Sequence, residues 1–483
     1  MTDQDRRKLV LASSALAVGA SLPRSAIAQQ RIVMNDASGL SATPVFSHRV
    51  LRQDSEDKLI AALRAELKAA ASQNRPVVVG AARHSMGGQS LARNGVAITF
   101  AAPRCEPDRS ARVFRVQAGT RWHEVIQVLD SIGESPAVMQ SNSDFAVAST
   151  FSVGAHGWPV SYGPFGSVVR AIRLMLADGS IVNCSRTENA ELFGLAMGGY
   201  GLLGILLDLE VEMVPNGLMR PAYERMNADA LAERFMKKLG DASTVKMMYG
   251  RLNVARKDFF TEALLVSYRA EPTPPAGLPP VARHGALTGL TRSVYRSQIG
   301  SEPAKRARWI AETQGAPRIG SGIATRNTLL NEPVANLGSS PAGRTDILHE
   351  YFVPPARFND FLEACRQIIP KAKAEFLNVT LRYVAQDDTS VLAYAPTERI
   401  AAVMSFSQAM TAEGEADMML LTEALIDRIS ALGGSYYLPY RLHARVDQFH
   451  RVYTGAARFA ERKRHYDPGL LFRNSLWDNY LAA

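Results

Sequence analysis

The chain has 483 residues, of which 47% are hydrophobic and 21% charged, and 55 Lys and Arg against 46 Asp and Glu give a formal net charge of +9. This composition, with three widely separated cysteines, excludes a disordered chain, a disulfide framework and a structural zinc or iron–sulfur site, so no metal is expected. The positive charge permits acidic small molecules or an anionic membrane surface as partners. Nucleic acid is not expected because no dense basic tract is present, and no apolar run is long enough for a transmembrane segment.

The first 28 residues have the pattern of an export signal. The pair Arg6-Arg7 precedes a moderately apolar stretch, 11–22, which closes on the cleavage pattern Ala26-Ile27-Ala28. The paired arginines resemble a twin-arginine signal, whose cargo crosses the membrane already folded, often with its cofactor inserted. We therefore expect cleavage after Ala28 and a periplasmic or secreted protein. A disordered basic tail is the alternative.

The N-terminal half alternates predicted helices and strands, punctuated by three glycine-rich loops. Apolar residues at helical spacing from Leu59 to Leu67, capped by Asp54 or Ser55, predict a helix, and Val77-Val78-Val79 predicts a buried strand after it. The later elements are a strand at 113–116, a helix at 122–129, a hairpin at 168–184 and a strand at 206–214. The loops are 80–89, 149–166 and 198–205, and backbone N–H groups in such loops can cradle a phosphate.

The third loop reads as G-x-G-x-x-G from Gly199 to Gly204. A dinucleotide site of the Rossmann type needs a helix directly after this motif. Strand-forming residues follow it here, so a Rossmann site is disfavoured.

Four sequence blocks carry a family resemblance. They are Arg83-His84-Ser85 with Gly88-Gln89, Thr150-Phe151-Ser152 with Gly154-Ala155-His156-Gly157, Asp178-Gly179 with Leu192-Phe193, and Gly198-Gly199 with Gly204-Ile205. Together they resemble the FAD-binding domain of the vanillyl-alcohol oxidase family. The resemblance implies an α+β flavoprotein with two domains, a bipartite FAD-binding domain and an α/β cap domain for the substrate. The expected boundaries are 29–215 for the FAD-binding domain, 216–439 for the cap and 440–483 for a C-terminal return to the first domain.

The same resemblance implies a covalently bound FAD, attached through an imidazole nitrogen of His84 to the flavin 8α-methyl carbon. Imidazole suits this role because it is nucleophilic when neutral. A loop histidine that binds nothing is the alternative, and plain turns are the alternative for the small residues. No cysteine lies between Asp144 and Gly157, so a second covalent link is not expected. The residues implied to bind the cofactor are Gly80, Ala81, Ala82, Arg83, His84, Ser85, Gln89, Ser149, Thr150, Ser152, Gly154, His156, Gly204, Ile205 and Asn474.

The catalytic groups depart from the patterns of the known family members. A resemblance to alditol oxidases keeps Arg382 but puts Thr380 where a glutamate belongs and Tyr440 where a lysine belongs. A resemblance to cytokinin dehydrogenases puts Ser141 in place of an aspartate, with Asp144 as a nearby stand-in. An ion pair or simple packing is the alternative role for each candidate. The catalytic candidates are Arg382, Tyr440, Glu350 and His156.

These residues together predict an FAD-dependent oxidoreductase that oxidises a C–OH bond of a small polar substrate, a sugar, polyol or other alcohol, by hydride transfer to flavin N5. The electron acceptor is oxygen or a redox partner. One alternative is oxidation of a C–N bond, as in cytokinin dehydrogenases. Another is an electron-carrier flavoprotein that serves a membrane partner through the basic stretch 283–308, for which a solvated helix face is the simpler interpretation.

Overall fold

Helices alternate with both parallel and antiparallel sheets along the chain, so the mixed helix and sheet content agrees with the prediction. The computed structural model describes residues 32–53, 55–101, 103–241, 243–272, 274, 277–282, 288–315, 322–333 and 340–482. The predicted export signal, the candidate cap Asp54 and residues 283–287 of the basic stretch lie outside the described residues. Among the helices described, none is both long and apolar enough to cross a membrane.

The strands form four sheets: a pair β1-β2, a parallel sheet β3-β5-β4, a sheet β10-β9-β11-β7-β6 with β8 paired to β11, and an eight-stranded sheet β15-β12-β14-β13-β17-β18-β16-β19. The strands are β1 Ile32–Met34, β2 Thr43–Val45, β3 Ser47–Leu51, β4 Val77–Val79, β5 Val96–Phe100, β6 Cys105–Asp108, β7 Val113–Gln117, β8 Glu134–Pro136, β9 Val169–Met175, β10 Ile181–Ser185, β11 Ile205–Pro215, β12 Leu218–Asn227, β13 Val245–Leu252, β14 Glu262–Glu271, β15 Ala324–Thr325, β16 Arg344–Val353, β17 Glu375–Val384, β18 Arg399–Ala409 and β19 Ser435–Tyr436.

The helices follow the apolar periodicity of the sequence. They are α1 Glu56–Ser72, α2 Trp122–Asp130, α3 Val147–Ser152, α4 Ala190–Ala196, α5 Leu231–Leu239, α6 Thr288–Ser297, α7 Glu302–Ile310, α8 Arg326–Leu330, α9 Phe358–Ile368, α10 Ala412–Ala431, α11 Val446–Val452 and α12 Ala456–Tyr466. In α1, Ser55 caps the helix by accepting from the Lys58 amide, and Leu59, Leu63 and Leu67 are buried, as the spacing predicts.

The six-stranded sheet contains the predicted hairpin, in which Ile181 of β10 lies opposite Met175 of β9. The glycine-rich segment before β11 leads directly into that strand, so no helix follows the G-x-G-x-x-G motif. Gly204 packs against the Met175 carbonyl, and an added Cβ would lie 2.5 Å from that oxygen. The glycine of this motif therefore allows two strands to pack closely, and the motif does not form a Rossmann turn.

One predicted loop is partly helical. The sequence predicts a glycine- and serine-rich loop at 149–166, but Val147–Ser152 form α3. Val147 and Phe151 are fully buried, and the Thr150 side chain accepts from Trp122 Nε1 at 2.8 Å. These buried contacts stabilise a helical turn that the small polar residues alone do not favour.

The eight-stranded sheet is covered on one face by helices. Thr422 of α10 hydrogen-bonds the ring of His349 on β16, so odd-numbered residues of this part of β16 face the helices. Side chains alternate along a strand, which turns Leu348 and Glu350 to the opposite face, where both line a cavity. Residues from Ile32 to the C-terminus form one compact unit, and the boundaries of the FAD-binding and cap domains stay a prediction.

Candidate functional site

A cavity of about 220 Å³ separates the loop after β4 and the helix α3 from the open face of the eight-stranded sheet. Fifteen of the cofactor-binding and catalytic candidates line it, although they come from six separate parts of the chain. They are Gly80, Ala81, Ala82, Arg83, His84, Ser85, Gln89, Ser149, Thr150, Ser152, His156, Gly204, Glu350, Arg382 and Tyr440.

Three residues of the predicted cofactor set do not line this cavity. Gly154 accepts a hydrogen bond from the Tyr394 hydroxyl at 2.6 Å through its carbonyl group. Ile205 is fully buried at the start of β11. The Asn474 amide donates to the carbonyl groups of Gln89 and Tyr200, at 2.9 and 3.0 Å. Asn474 therefore links the first and third glycine-rich loops by hydrogen bonds outside the cavity.

Gln89 also has a clear positioning role. Its side-chain nitrogen donates to the carbonyl groups of Leu438 and Tyr440, at 2.6 and 2.9 Å, and its oxygen accepts from the Gly87 amide at 2.9 Å. The side chain thus joins the loop after β4 to the segment that carries Tyr440.

His84 lies on the cavity wall with its ring packed against Phe145, at 4.4 Å between ring centroids. Burial lowers the pKa of His84, and the nearby Asp144 carboxylate opposes that shift only in part. The imidazole is therefore neutral at pH 7 and retains a nucleophilic ring nitrogen.

A buried cluster of Glu350, His156 and Tyr440 forms the opposite end of the cavity. Glu350 Oε1 shares a hydrogen bond with His156 Nε2, and Glu350 Oε2 accepts from the Tyr440 hydroxyl at 3.2 Å. Glu350 and His156 are only 3% and 4% exposed, and Phe352 and Tyr437 flank the imidazole. Burial raises the pKa of Tyr440 well above its usual range, so its phenol stays protonated and acts as a donor.

Arg382 on β17 completes this end of the site. Its Nη2 donates to the Ser141 hydroxyl, while its Nε is buried without a hydrogen-bond partner among the described residues. Burial lowers the pKa of Arg382, and the charge of Glu350 opposes that shift. Thr380, two residues earlier, accepts from Arg251 at 2.6 Å, so two of the residues at which the sequence departs from the family patterns, Ser141 and Thr380, each bind an arginine.

Sequence reasoning missed Tyr437, which lies beside His156 and Tyr440 and lines the cavity. Its hydroxyl is buried and has no hydrogen-bond partner in the described part of the chain. It also missed Gln140, whose amide oxygen accepts from Thr150 at 2.5 Å on the cofactor-loop side. Neither residue belongs to a motif, so only the assembled fold identifies them.

Comparison with known proteins gives independent evidence for an FAD-binding domain. Residues 50–185 match the family described as an FAD binding domain. Cytokinin dehydrogenase 8 of Oryza sativa subsp. indica is 32% identical over 178 residues, which cover 34% of this chain and 34% of that protein. An alditol oxidase of Streptomyces sp. (strain IKD472 / FERM P-14339) is 34% identical over 108 residues, 22% of this chain and 26% of that protein.

L-gulonolactone oxidase of Mus musculus is 30% identical over 108 residues, 22% of this chain and 24% of that protein. The chain therefore spans about a third or less of the length of these curated relatives. The matched region contains the first two glycine-rich loops, His84 and α3. The predicted resemblance to the vanillyl-alcohol oxidase family of flavoproteins is therefore confirmed for the FAD-binding domain within residues 50–185.

Proposed function

We propose that this protein is an FAD-dependent oxidoreductase that oxidises a C–OH bond of a small polar substrate. One observation carries the proposal: the loops of the FAD-binding domain and a buried carboxylate, Glu350, line the same cavity. A cavity shared by a cofactor domain and a titratable, largely enclosed side chain is the expected setting for redox catalysis.

The cofactor loops fit an FAD molecule. Small side chains line the cavity from both sides, Ala81 and Ala82 after β4 and Ser149 in α3. Arg83 Nε and Ser90 Oγ are buried at this wall without hydrogen-bond partners among the described residues, and a polar ligand would satisfy them. FAD, when bound, supplies the hydride acceptor for the reaction.

His84 is the proposed attachment point of the cofactor. It lines the cavity, its ring is held by Phe145, and the neutral imidazole has a free electron pair. These properties support a bond from a ring nitrogen to the flavin 8α-methyl carbon.

Glu350 is the proposed acceptor of the substrate hydroxyl proton. Alcohol oxidation by hydride loss requires a base near the reacting carbon. Tyr440 and His156 hold the two carboxylate oxygens in a fixed position at the cavity wall. Arg382 carries a fixed positive charge on the same sheet face and is the group that can polarise a substrate oxygen.

The electron-carrier alternative loses part of its support. Lys305 pairs with Glu302 and Glu375 at 2.9 Å, and Arg308 pairs with Glu312 at 2.8 Å. Much of the charge in the described part of the basic stretch is therefore neutralised within the protein rather than offered to a partner.

The deciding experiment is anaerobic bleaching of the purified yellow protein with a panel of alcohols and amines, followed by admission of air. We expect one class of alcohols to bleach the flavin absorbance, and the rate at which air restores the colour then distinguishes oxygen from another acceptor. Bleaching by amines alone would favour C–N oxidation, and no bleaching by any compound would favour the carrier.

Export by the twin-arginine route belongs to the same proposal. The pair Arg6-Arg7 and the site after Ala28 support it. We expect the mature protein in the periplasm or medium of its host, and replacement of both arginines by lysine should leave the uncleaved precursor in the cytoplasm.

A further inference from the structure

The sheet face that lines the cavity carries a row of guanidinium groups. Arg251 of β13 lies opposite Thr380 of β17, and Arg382 follows two residues later on the same face. Arg308 of α7 joins the row, because Arg308 and Arg251 both donate to the side-chain oxygen of Asn378, at 3.2 and 2.8 Å. The row ends at Arg382, which lines the cavity.

Arg382 has N–H groups that no acceptor of the described residues binds. Apart from the Nη2 contact to Ser141, its Nε is buried without a partner, and it forms no ion pair with a carboxylate of the described residues. Arg326 shows the contrasting case, since this buried guanidinium donates to the carbonyl groups of Pro136 and Ala137. A half-buried guanidinium at a cavity wall, with a buried Nε that has no partner among the described residues, calls for an acceptor on the ligand.

The acidic residues near the row are already engaged. Glu312 pairs with Arg308 at 2.8 Å, and both oxygens of Glu350 are held by His156 and Tyr440. Arg251 donates to two neutral side chains, the amide of Asn378 and the hydroxyl of Thr380. Within the described chain, the row therefore carries positive charge that its own carboxylates do not balance.

We propose that Arg382 binds a carboxylate group of the substrate, so that the alcohols oxidised are hydroxy acids, sugar acids among them. A guanidinium binds a carboxylate through two parallel hydrogen bonds, and its charge attracts the anion into a partly buried site. This inference rests on the proposed function, because it names the substrate class of the same site.

The spacing of the strands suits a short hydroxy acid. Glu350 of β16 pairs with Val403 of β18, which pairs with Thr380 of β17, so Arg382 lies two strands and two residues away from Glu350, and their backbones are about 12 Å apart. When the carboxylate of the substrate binds Arg382, the adjacent carbon atom that carries the hydroxyl group lies between the side chains of Arg382 and Glu350. In the oxidation, the C–H bond breaks with its electron pair passing to the bound flavin, the hydroxyl proton passes to Glu350, and the product is the keto acid.

The test compares carboxylates with neutral molecules of the same shape. The full-length yellow protein is titrated anaerobically by calorimetry with glycolate, D-lactate and D-gluconate, each against its amide, and with D-glucitol. We expect at least one carboxylate to bind roughly 10- to 100-fold more tightly than its amide, and Arg382→Gln to abolish that preference. Arg382→Lys should keep part of it, and Arg104→Gln, which removes an exposed charge, should keep all of it.

The outcomes separate this proposal from the function on which it rests. If no carboxylate is preferred while D-glucitol bleaches the flavin, the oxidoreductase function stands and the carboxylate site is refuted. If a carboxylate is preferred but no compound bleaches the flavin, the anion site stands and the oxidation is refuted. A change in flavin absorbance in Arg382→Gln with an unchanged preference would place Arg382 against the cofactor and overturn the proposal.

Discussion

The two walls of the cavity are built in opposite ways. The cofactor wall consists mainly of small, uncharged residues in loops that follow short strands, and each loop is continuous in sequence. The sheet wall carries charges, the buried Glu350 and the half-buried Arg382, on strands with sheet neighbours that are distant in sequence, β18 for β16 and β13 for β17. The first wall is suited to bind a large cofactor through its backbone, and the second to act on a small substrate through side chains.

The strongest test of this division concerns the cofactor wall. We expect His84→Ala to release all flavin when the protein is precipitated with acid, because the bond from the imidazole would be absent, whereas the wild type keeps its yellow fluorescence in the pellet. His450→Ala, which removes an exposed histidine, should retain the colour. A colourless pellet from the wild-type protein would refute the covalent link.

The next test concerns the sheet wall. Glu350→Gln keeps the shape of the side chain but removes the proposed base, so we expect flavin reduction by the substrate to slow by about 10²- to 10⁴-fold, measured by anaerobic stopped flow. The flavin content should be unchanged if the two walls work separately. Glu461→Gln removes an exposed carboxylate and serves as the control. Unaltered reduction rates would remove Glu350 from the chemistry.

A smaller effect is expected from the phenol that supports this carboxylate. Tyr440→Phe removes the 3.2 Å hydrogen bond to Glu350, and we expect flavin reduction to slow by about 10-fold. Tyr466→Phe is the matched control, since Tyr466 donates to Glu191 at 2.9 Å. A loss as large as that of Glu350→Gln would mean that Tyr440 itself touches the reacting group.

The smallest effect concerns a contact that links the two walls. Arg441 donates to the Met86 carbonyl at 3.1 Å, and Glu415 accepts from Arg441 and lies 2.8 Å from His443. Burial alone would raise the pKa of Glu415, but hydrogen bonds with His443 and Arg441 lower it to about 2.

A carboxyl group with a depressed pKa stabilises the fold above its ordinary value of 4.5, and this contribution is lost as the pH falls towards about 2. We expect Glu415→Gln to lower the free energy of unfolding by about 1 kcal/mol at pH 6 and by less near pH 3, measured by urea denaturation. Glu233→Gln, an exposed change on α5, should show neither effect. An equal loss at both pH values would mean that the charge of Glu415 is not what stabilises the fold.

The same division explains what the sequence could predict. The cofactor wall lies in contiguous blocks, so motif order located His84 and its loop, and local periodicity located α1 and the hairpin of β9 and β10. The prediction of a loop was wrong for 149–152, which belong to the helix Val147–Ser152, because burial of Val147 and Phe151 outweighs the loop-like composition.

The sheet wall could be predicted only in part. Glu350, Arg382 and His156 were candidates, but their contacts join segments that are far apart in sequence, 194 residues between His156 and Glu350 and 241 between Ser141 and Arg382. A one-residue shift of β16 would turn Glu350 towards the helices, so alternation alone left its direction open. The hydrogen bond between Arg382 and Ser141 joins two residues that no local sequence pattern relates to each other.

The amide of Asn474, which bridges the carbonyl groups of Gln89 and Tyr200, has a consequence for biosynthesis. Because ribosomes build proteins from the N-terminus, the first and third glycine-rich loops exist long before the residue that fastens them to each other. The cavity thus reaches its final form only after residue 474 has left the ribosome.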